Sequence, residues 1–315
     1  MSLDSVNPVE RRITAETLAI DALTARMTEL FETRGIESIV LKGPAVVNWL
    51  YRDGPVRAYG DSDLLVAPEN WERAHEIMKE LGFVDALGPL AHPRMESITS
   101  HAWVRGQENV DLHCTIWGIG AEPARVWELL SARTVPMNVG GRDVRVLAPG
   151  PRALHLGLHA AQHGDEPGKA LDDISLAIAQ LPHDTWVEAA ELAAELDATA
   201  AFAAGLLANP DGRELAERLG VGDARSVDAL LRGADVPLAQ GFNELAATPG
   251  ISAKLALMVD ELFPTPEFMR WWSPLAGRGR LGLALTYAWR PIWLALRAGP
   301  GFIAWRRARR EGSGA

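Results

Sequence analysis

Two aspartates separated by one residue, Asp61 and Asp63, open a short apolar segment with the pattern of a buried strand, Asp61–Val66. Because side chains along a strand alternate between its two faces, both carboxylates should point to the same side. Carboxylates held this close repel each other unless a cation lies between them, and carboxylate oxygens suit Mg²⁺. The pair therefore predicts a metal site, and replacing either aspartate by asparagine should leave thermal stability unchanged or raise it.

A third acidic residue follows about 50 positions later, in a second segment with strand alternation, residues 109–117. Its even-numbered positions are apolar, and Asp111 and His113 lie on the other face. We predict that Asp111 completes a cluster of three carboxylates with the earlier pair. His113 should line the same site, as a hydrogen-bond partner of the ligands rather than as a ligand.

A glycine turn precedes the aspartate pair. Residues 36–41 form an apolar run typical of a strand, Lys42 and Gly43 turn the chain, and Pro44 is well placed to start a helix. Such a turn can present backbone N–H groups and an ammonium group to a phosphate. Lys42 and Gly43 are therefore candidate nucleotide-binding residues, and Arg57, in the loop before Asp61, is another.

These segments together resemble a known family. Leu41–Gly43, Tyr51, Arg57 and Gly60–Val66, followed by the V-D-L-H segment Val110–His113, are similar to bacterial nucleotidyltransferase-like proteins of the DNA polymerase β superfamily. The likeness is greatest to the branch that begins with L-K-G and later carries V-D-L-H. It extends over roughly residues 10–180 and, more loosely, to the tail.

The resemblance implies a fold and a reaction. The fold would be α+β: a polymerase-β-like mixed sheet with flanking helices in residues 1–148, followed by an α-helical domain in residues 149–315. The reaction would use two Mg²⁺ ions, or Mn²⁺, held by Asp61 and Asp63, with Asp111 binding the ion that activates the acceptor and receiving its proton. A nucleoside monophosphate would pass from an NTP such as ATP to a hydroxyl or amine, releasing pyrophosphate.

One departure from the family pattern keeps two other functions open. The turn here is Gly43-Pro44, where the superfamily usually has Gly-Ser, so a hydroxyl and a backbone donor to the triphosphate are missing. A catalytically silent nucleotide- or partner-binding module is therefore one alternative. A D-x-D glycosyltransferase is the other, but its parallel sheet needs several strand–helix units before the D-x-D, and only one strand precedes Asp61.

The remaining elements follow from periodicity and turn residues. In the first part we predict helices at 9–34, 45–51, 68–81 and 123–133, and a hairpin turning at Gly140-Gly141 between 134–139 and 142–147. Beyond residue 149 the sequence is rich in alanine and leucine and shows no strand pattern. We predict helices there at 150–163, 170–180, 186–208, 212–219, 225–233, 251–262 and 281–297.

Composition limits the partners. The net charge of -10 argues against binding long nucleic acids, so we expect a small-molecule, peptide or protein acceptor. The single cysteine, Cys114, excludes an intramolecular disulfide and a C-x-x-C zinc site, and the first residues lack the apolar core of a signal peptide. A reducing cytoplasm is the location we expect.

Three further features need an interpretation. His155, His159 and His163 share one helical face, which suggests zinc, but without H-E-x-x-H a role lining the site is favoured. Asp173, at the start of a predicted helix, is a candidate for contacting nucleotide or acceptor. The tail from Phe268 to Arg310 contains nine arginines, several tryptophans and no acidic residue, and it suits core packing, an acceptor clamp or weak contact with a membrane surface.

Overall fold

A computed structural model describes residues 8–52, 56–86, 100–163, 168–222, 238–248 and 250–312, and positions 227, 231 and 236. The described chain forms two compact units. The first contains the described residues up to 222 and the second those from 227 onward. The predicted helix at 225–233 lies largely outside the described residues.

The first unit is built on one mixed sheet of seven strands. The strands are β1 (Ser38–Val40), β2 (Ser62–Val66), β3 (Val84–Asp85), β4 (Ser100–Arg105), β5 (Glu108–His113), β6 (Thr134–Val139) and β7 (Arg142–Leu147). Their order across the sheet is β3-β4-β5-β2-β1-β7-β6, with β2 parallel to β5, β1 parallel to β7 and the other neighbours antiparallel. This architecture confirms the predicted α+β class.

The described helices are divided between the two units. In the first unit they are α1 (Pro8–Thr33), α2 (Pro44–Leu50), α3 (Trp71–Glu80), α4 (Pro123–Ser131), α5 (Pro149–His163), α6 (Lys169–Gln180), α7 (His183–Glu195), α8 (Thr199–Leu207) and α9 (Gly212–Arg218). In the second unit they are α10 (Ala239–Ala247), α11 (Ile251–Leu262), α12 (Pro266–Trp272) and α13 (Gly279–Gly312). The sequence did not predict β3, α10 or α12.

One face of the sheet is covered by α1 and α3. Leu23 and Phe31 of α1 belong to the same buried apolar cluster as Leu64 of β2 and Val110 of β5. On the same face, the Thr24 hydroxyl donates a buried hydrogen bond of 2.8 Å to the Ser62 hydroxyl. Since Ser62 and Leu64 face α1, strand alternation directs the aspartate between them to the opposite face.

Residues 186–208, predicted as a single helix, form two. The chain breaks between α7 and α8, where Asp197 adopts a φ of 51°. At this break, two backbone carbonyls accept hydrogen bonds from the loop that follows β5. The amides of Gly120 and Ala121 donate to the carbonyls of Asp197 and Leu196, respectively. Periodicity could not show this interruption, because the partners are more than 70 residues away in sequence.

Helices α5 and α8 cross at very short range. The carbonyl oxygen of Gly157 lies 1.8 Å from the place that a Cβ on Gly205 would occupy. A Cβ on Gly157 would in turn meet the Phe202 ring at 2.6 Å. The two glycines are therefore required by packing. The sheet ends at Leu147, and every described element after it is helical, while the domain boundary at residue 148 stays a prediction.

The second unit has aromatic clusters arranged around α13. Arg290 is buried, donates to the carbonyl of Glu261 at 2.7 Å and to its Oε1 at 2.9 Å, and lies over the Trp272 ring. Helix α13 includes the predicted segment 281–297 but is longer, and Pro291 and Pro300 lie within it. Among the described helices, none is long and apolar enough to cross a membrane.

Candidate active site

Two neighbouring parallel strands bring Asp63 and Asp111 together. In the register of β2 and β5, Asp63 is paired with Asp111 and Leu65 with His113. Parallel strands lie about 4.8 Å apart, and residues in register point to the same face. As a result, Asp63, Asp111 and His113 each offer a ligand atom, and these atoms lie within 4.8 Å of one another.

Asp63 is the buried centre of this group, with a side chain that is 1% exposed. Its Oδ1 accepts a hydrogen bond of 2.8 Å from Lys42 Nζ and lies 3.1 Å from His113 Nε2. Burial alone would raise the pKa of this carboxyl, but the Lys42 ammonium and His113 together hold the pKa below its usual range. Asp63 is therefore ionised at neutral pH.

The other oxygen of Asp63 shows that the site suits a cation. Oδ2 is buried and has no hydrogen-bond partner within the described part of the chain. A buried carboxylate oxygen without a partner costs free energy, which a metal ligand bond would offset. Two carboxylates and an imidazole, all within 4.8 Å, form a donor set that fits a divalent cation such as Mg²⁺ or Mn²⁺.

The pKa values of Asp111 and Asp61 are shifted upward, in the opposite direction to that of Asp63. Burial and the charge of Asp63 raise the pKa of Asp111 to about 6, and the same two causes raise the pKa of Asp61. Asp61 immediately precedes β2 and is not part of the compact group of ligand atoms found among the described residues. Asp61 lines an open cleft of about 400 Å³, and Asp111, although part of that group, lines the same cleft. The structure thus separates a deep aspartate from two that face the cleft.

The glycine turn lies at the start of α2. Gly43 has a φ of 55°, which favours glycine, and a Cβ there would lie 3.1 Å from the Tyr59 ring. The Gly43 carbonyl accepts from the amide of Val47, while Pro44 begins the helix. The Lys42 side chain extends from this turn to Asp63, so the turn and the aspartate pair are physically linked.

Arg57 has a different environment from the one its sequence position suggested. Its Nε and Nη2 donate to the two carboxylate oxygens of Asp173, each at 2.6 Å, and both side chains are almost fully buried. The Tyr51 hydroxyl donates to the same Asp173 at 2.7 Å. This cluster ties the loop before β2 to the start of α6. Tyr51 had no role predicted from its sequence.

Two histidines of α5 lie behind Lys42. Burial, and then the Lys42 charge, lower the pKa of His155 to about 3, so this imidazole is neutral. The pKa of His159 is lowered for the same reasons, and its ring lies 6.4 Å from that of His155. Within the described residues, the group with metal-ligand spacing contains neither of them. Both are therefore neutral groups near Lys42.

Lys169 is a residue that the sequence analysis missed. Its charge lowers the pKa of Asp61, against the larger effects of burial and of Asp63. Lys169 begins α6, four residues before Asp173, and only the position of that helix could have revealed it. Two lysines, Lys42 and Lys169, therefore interact electrostatically with the carboxylates of the site.

Comparisons with known proteins give the family. Among solved structures, the chain is similar to the antibiotic-resistance factor ANT(2'')-Ia, with 18% identity over 59% of this chain and 94% of that one, and a TM-score of 0.39. The lincomycin-bound lincosamide antibiotic adenylyltransferase LnuA matches with 13% identity over 47% and 89% of the chains, and a TM-score of 0.33. An antigenic nucleotidyltransferase-like protein from Paracoccidioides brasiliensis matches with 14% identity over 60% and 93%, and a TM-score of 0.32.

Those structural similarities are low, and no curated protein sequence matches the chain significantly. The family assignment has a firmer basis. Residues 6–209 match the model of a family described as "Uncharacterised nucleotidyltransferase", and this range includes the glycine turn, the aspartates and the helices behind them. Since the match covers well over half of the 315 residues, this chain belongs to that nucleotidyltransferase family.

Proposed function

We propose that this chain is a divalent-metal-dependent enzyme that transfers a nucleoside monophosphate from an NTP to a hydroxyl or amine, releasing pyrophosphate. The observation that carries the proposal is the buried Oδ2 of Asp63, which has no partner among the described groups, in a residue paired with Asp111 on the adjacent parallel strand. Structural ion pairs usually satisfy both carboxylate oxygens. An oxygen left without a partner beside a second carboxylate is what a metal site requires.

We assign Asp63 and Asp111 as ligands, with Asp61 completing the carboxylate set from the cleft. A bound divalent cation would neutralise phosphate charge and orient the α-phosphate for in-line attack. Asp111 faces the cleft, where an acceptor would enter, and its carboxylate is the base that we propose takes the proton from the acceptor hydroxyl or amine. His113, 3.1 Å from Asp63, orients that ligand.

The cationic groups have distinct proposed roles. Lys42 offsets the mutual repulsion of the carboxylates through its ion pair with Asp63, and with Gly43 it is our candidate for contacting the triphosphate. Arg57 is held by Asp173 in a two-point ion pair, so we propose that it fixes the loop carrying Asp61 and adds positive charge near that residue. Asp173 is then a positioning residue.

The acceptor follows from charge. The net charge of -10 and the acidic cleft disfavour a long polyanion, so we propose a small molecule, peptide or protein as the acceptor. Positioning and charge neutralisation would supply most of the rate in such a reaction.

Pyrophosphate release from each NTP, with Mg²⁺ or Mn²⁺ and a cell extract as the source of acceptors, tests the proposal directly. The Asp111→Asn variant should lose at least about a hundred-fold in rate. Asp143→Asn is the matched control, because Asp143 is an exposed carboxylate on β7 and should leave the rate unchanged. Mass spectrometry of the same mixture would identify the nucleotide-bearing product.

The alternatives give different outcomes in that assay. Release of a nucleoside diphosphate from a sugar donor, without pyrophosphate from any NTP, would establish a glycosyltransferase instead. Tight NTP binding by calorimetry with no product would establish a silent binding module. A wild-type rate in Asp111→Asn would remove the proposed site altogether.

A further inference from the structure

Helix α13 has a row of exposed apolar side chains along one side. The row consists of Leu281, Leu285, Trp289, Ile292, Leu296 and Ile303. At about 100° per residue, these six positions fall within about 80° of the helix circumference. Leu281 is 74% exposed, Leu296 65% and Ile303 68%, so the described part of the chain leaves most of the row uncovered. A row of this length is unusual on the surface of a protein.

No charged residue interrupts the row. Between Leu281 and Ile303 the charged residues are Arg290 and Arg297, which lie on the other side of the helix at 100° per residue. Arg290 is buried against Glu261, and the guanidinium of Arg297 lies 4.5 Å from the centre of the Trp293 ring. The exposed apolar face therefore extends for about 33 Å.

Positive charge borders the row at both ends. Arg278 and Arg280 precede it, and Arg306 and Arg310 follow Ile303 on the same side of the helix. All four side chains are exposed. No acidic residue occurs from Phe268 to Arg310, and the one acidic residue of α13 is Glu311, directly after Arg310.

We propose that α13 docks on an anionic lipid surface, with its axis parallel to the membrane plane and the row inserted among the acyl chains. An apolar face bordered by arginines is the pattern of an interfacial helix, since the cations reach phosphate groups while leucine and isoleucine leave water. Trp289, in the middle of the row, suits the boundary between head groups and acyl chains. The helix lies on the membrane and does not cross it.

The charges argue against a second copy of the chain as the occupant of this face. In an antiparallel pair of α13 helices, Arg278 and Arg280 of one copy would lie beside Arg306 and Arg310 of the other. In a parallel pair, each cluster would lie beside its own equivalent. Either arrangement places like charges together, which costs free energy, whereas a surface of lipid phosphates is complementary to both ends.

Vesicle flotation of the full chain tests this proposal, with phosphatidylcholine vesicles compared with vesicles that also contain phosphatidylglycerol. The protein should float with the anionic vesicles and remain behind with the neutral ones. Binding should weaken as NaCl is raised, since salt screens the arginine–phosphate attraction. Emission from the tryptophans should shift to shorter wavelength on binding, because Trp289 enters a less polar environment.

Substitutions separate the apolar and electrostatic contributions. Leu296→Asp should lower the partition coefficient at least roughly ten-fold, because the side chain no longer gains by leaving water. Leu18→Asp is the matched control, since Leu18 is 61% exposed on α1 in the first unit and should not affect flotation. Each of Arg306→Gln and Arg310→Gln should lower the coefficient by roughly five-fold.

Three results would overturn the proposal. The first is equal flotation with neutral and anionic vesicles, and the second is unchanged binding by Leu296→Asp. The third is a stable dimer in the absence of lipid that Leu296→Asp converts to a monomer, measured by sedimentation velocity, because a second copy would then occupy the row. None of these measurements depends on catalysis, so the proposed reaction is tested separately.

Discussion

The same substitution should have different effects on stability at Asp61 and at Asp63, whereas the sequence alone predicted no loss of stability at either. Asp63→Asn removes the partner of Lys42, whose ammonium lies 2.8 Å from the Asp63 carboxylate. Asp61→Asn removes a carboxylate whose pKa is raised by burial and by Asp63, which means that the fold disfavours its charge. We therefore expect Asp63→Asn to be less stable than wild type, and Asp61→Asn to be as stable or more so. Both should lose nucleotidyl transfer.

The burial of the Lys42–Asp63 ion pair determines how much stability Asp63→Asn should lose. Removing one partner of a buried ion pair typically costs 3–5 kcal/mol, because the remaining charge stays in a poorly solvated position. Lys42 keeps 22% of its side chain exposed and can be partly hydrated, so we expect the low end, about 3 kcal/mol. Lys42→Met should also destabilise, since it leaves the ionised Asp63 buried. The double variant Lys42→Met/Asp63→Asn should recover part of the loss, giving a coupling energy of about 1–3 kcal/mol.

Urea denaturation at neutral pH, followed by circular dichroism, measures these differences. A loss of about 3 kcal/mol corresponds to a midpoint lower by on the order of 1 M. The contrast between Asp61→Asn and Asp63→Asn is internally controlled, because the two sites lie two residues apart and receive the same chemical change. Equal midpoints for the two variants, or a double variant whose loss is the sum of the single losses, would refute the ion pair as described here.

Three further predictions address metal binding, helix packing and pH. Adding Mn²⁺ at a hundred times its Kd should stabilise the wild type by about 2.7 kcal/mol and have much less effect on Asp111→Asn; equal stabilisation of both would place the metal elsewhere. Gly205→Ala should lower the free energy of unfolding by at least about 2 kcal/mol, because the new Cβ would meet the Gly157 carbonyl. Gly299→Ala is the control and should be tolerated, because a Cβ there would have nothing within 4 Å. In α3, burial lowers the pKa of His75 from 6.5 to about 4. As the pH falls from about 6.5 towards 4, the unfolded chain therefore binds a proton that the folded chain does not, and stability falls by roughly 1–3 kcal/mol. A His75→Gln variant should show a smaller pH dependence of its midpoint, and an unchanged dependence would assign the effect to other groups.

Most of the sheet could be predicted from sequence because its determinants are local. Alternation in the segment that contains Asp111 predicted β5, and the turn glycines at 140 and 141 predicted the hairpin between β6 and β7. The two-residue strand β3 has too few residues to show alternation. The interruption at Asp197 depends on hydrogen bonds from the loop after β5, which no local pattern can reveal.

The residue types that meet at the candidate site could be identified from the sequence, but their contacts could not. Strand alternation correctly directed Asp63 to the face opposite Ser62, and the structure places Asp111 beside it. The partner of Arg57 was not predictable, because Asp173 is 116 residues away and reaches it only through the packing of α6. For the same reason, the sequence could not show that Arg57, a candidate nucleotide-binding residue, forms an ion pair with Asp173, a candidate for contacting nucleotide or acceptor.

The D-x-D pattern itself explains why sequence could not rank its two members. A spacing of two residues assigns both carboxylates to one face but says nothing about depth along the strand. Asp63 lies within β2 between two paired strands, where Lys42 and His113 reach it, whereas Asp61 precedes β2 at the cleft. The first position is enclosed and needs counter-charges to remain ionised, while the second faces the cleft. We therefore infer that the buried Asp63 anchors a cation and that Asp61 completes the carboxylate set from the cleft.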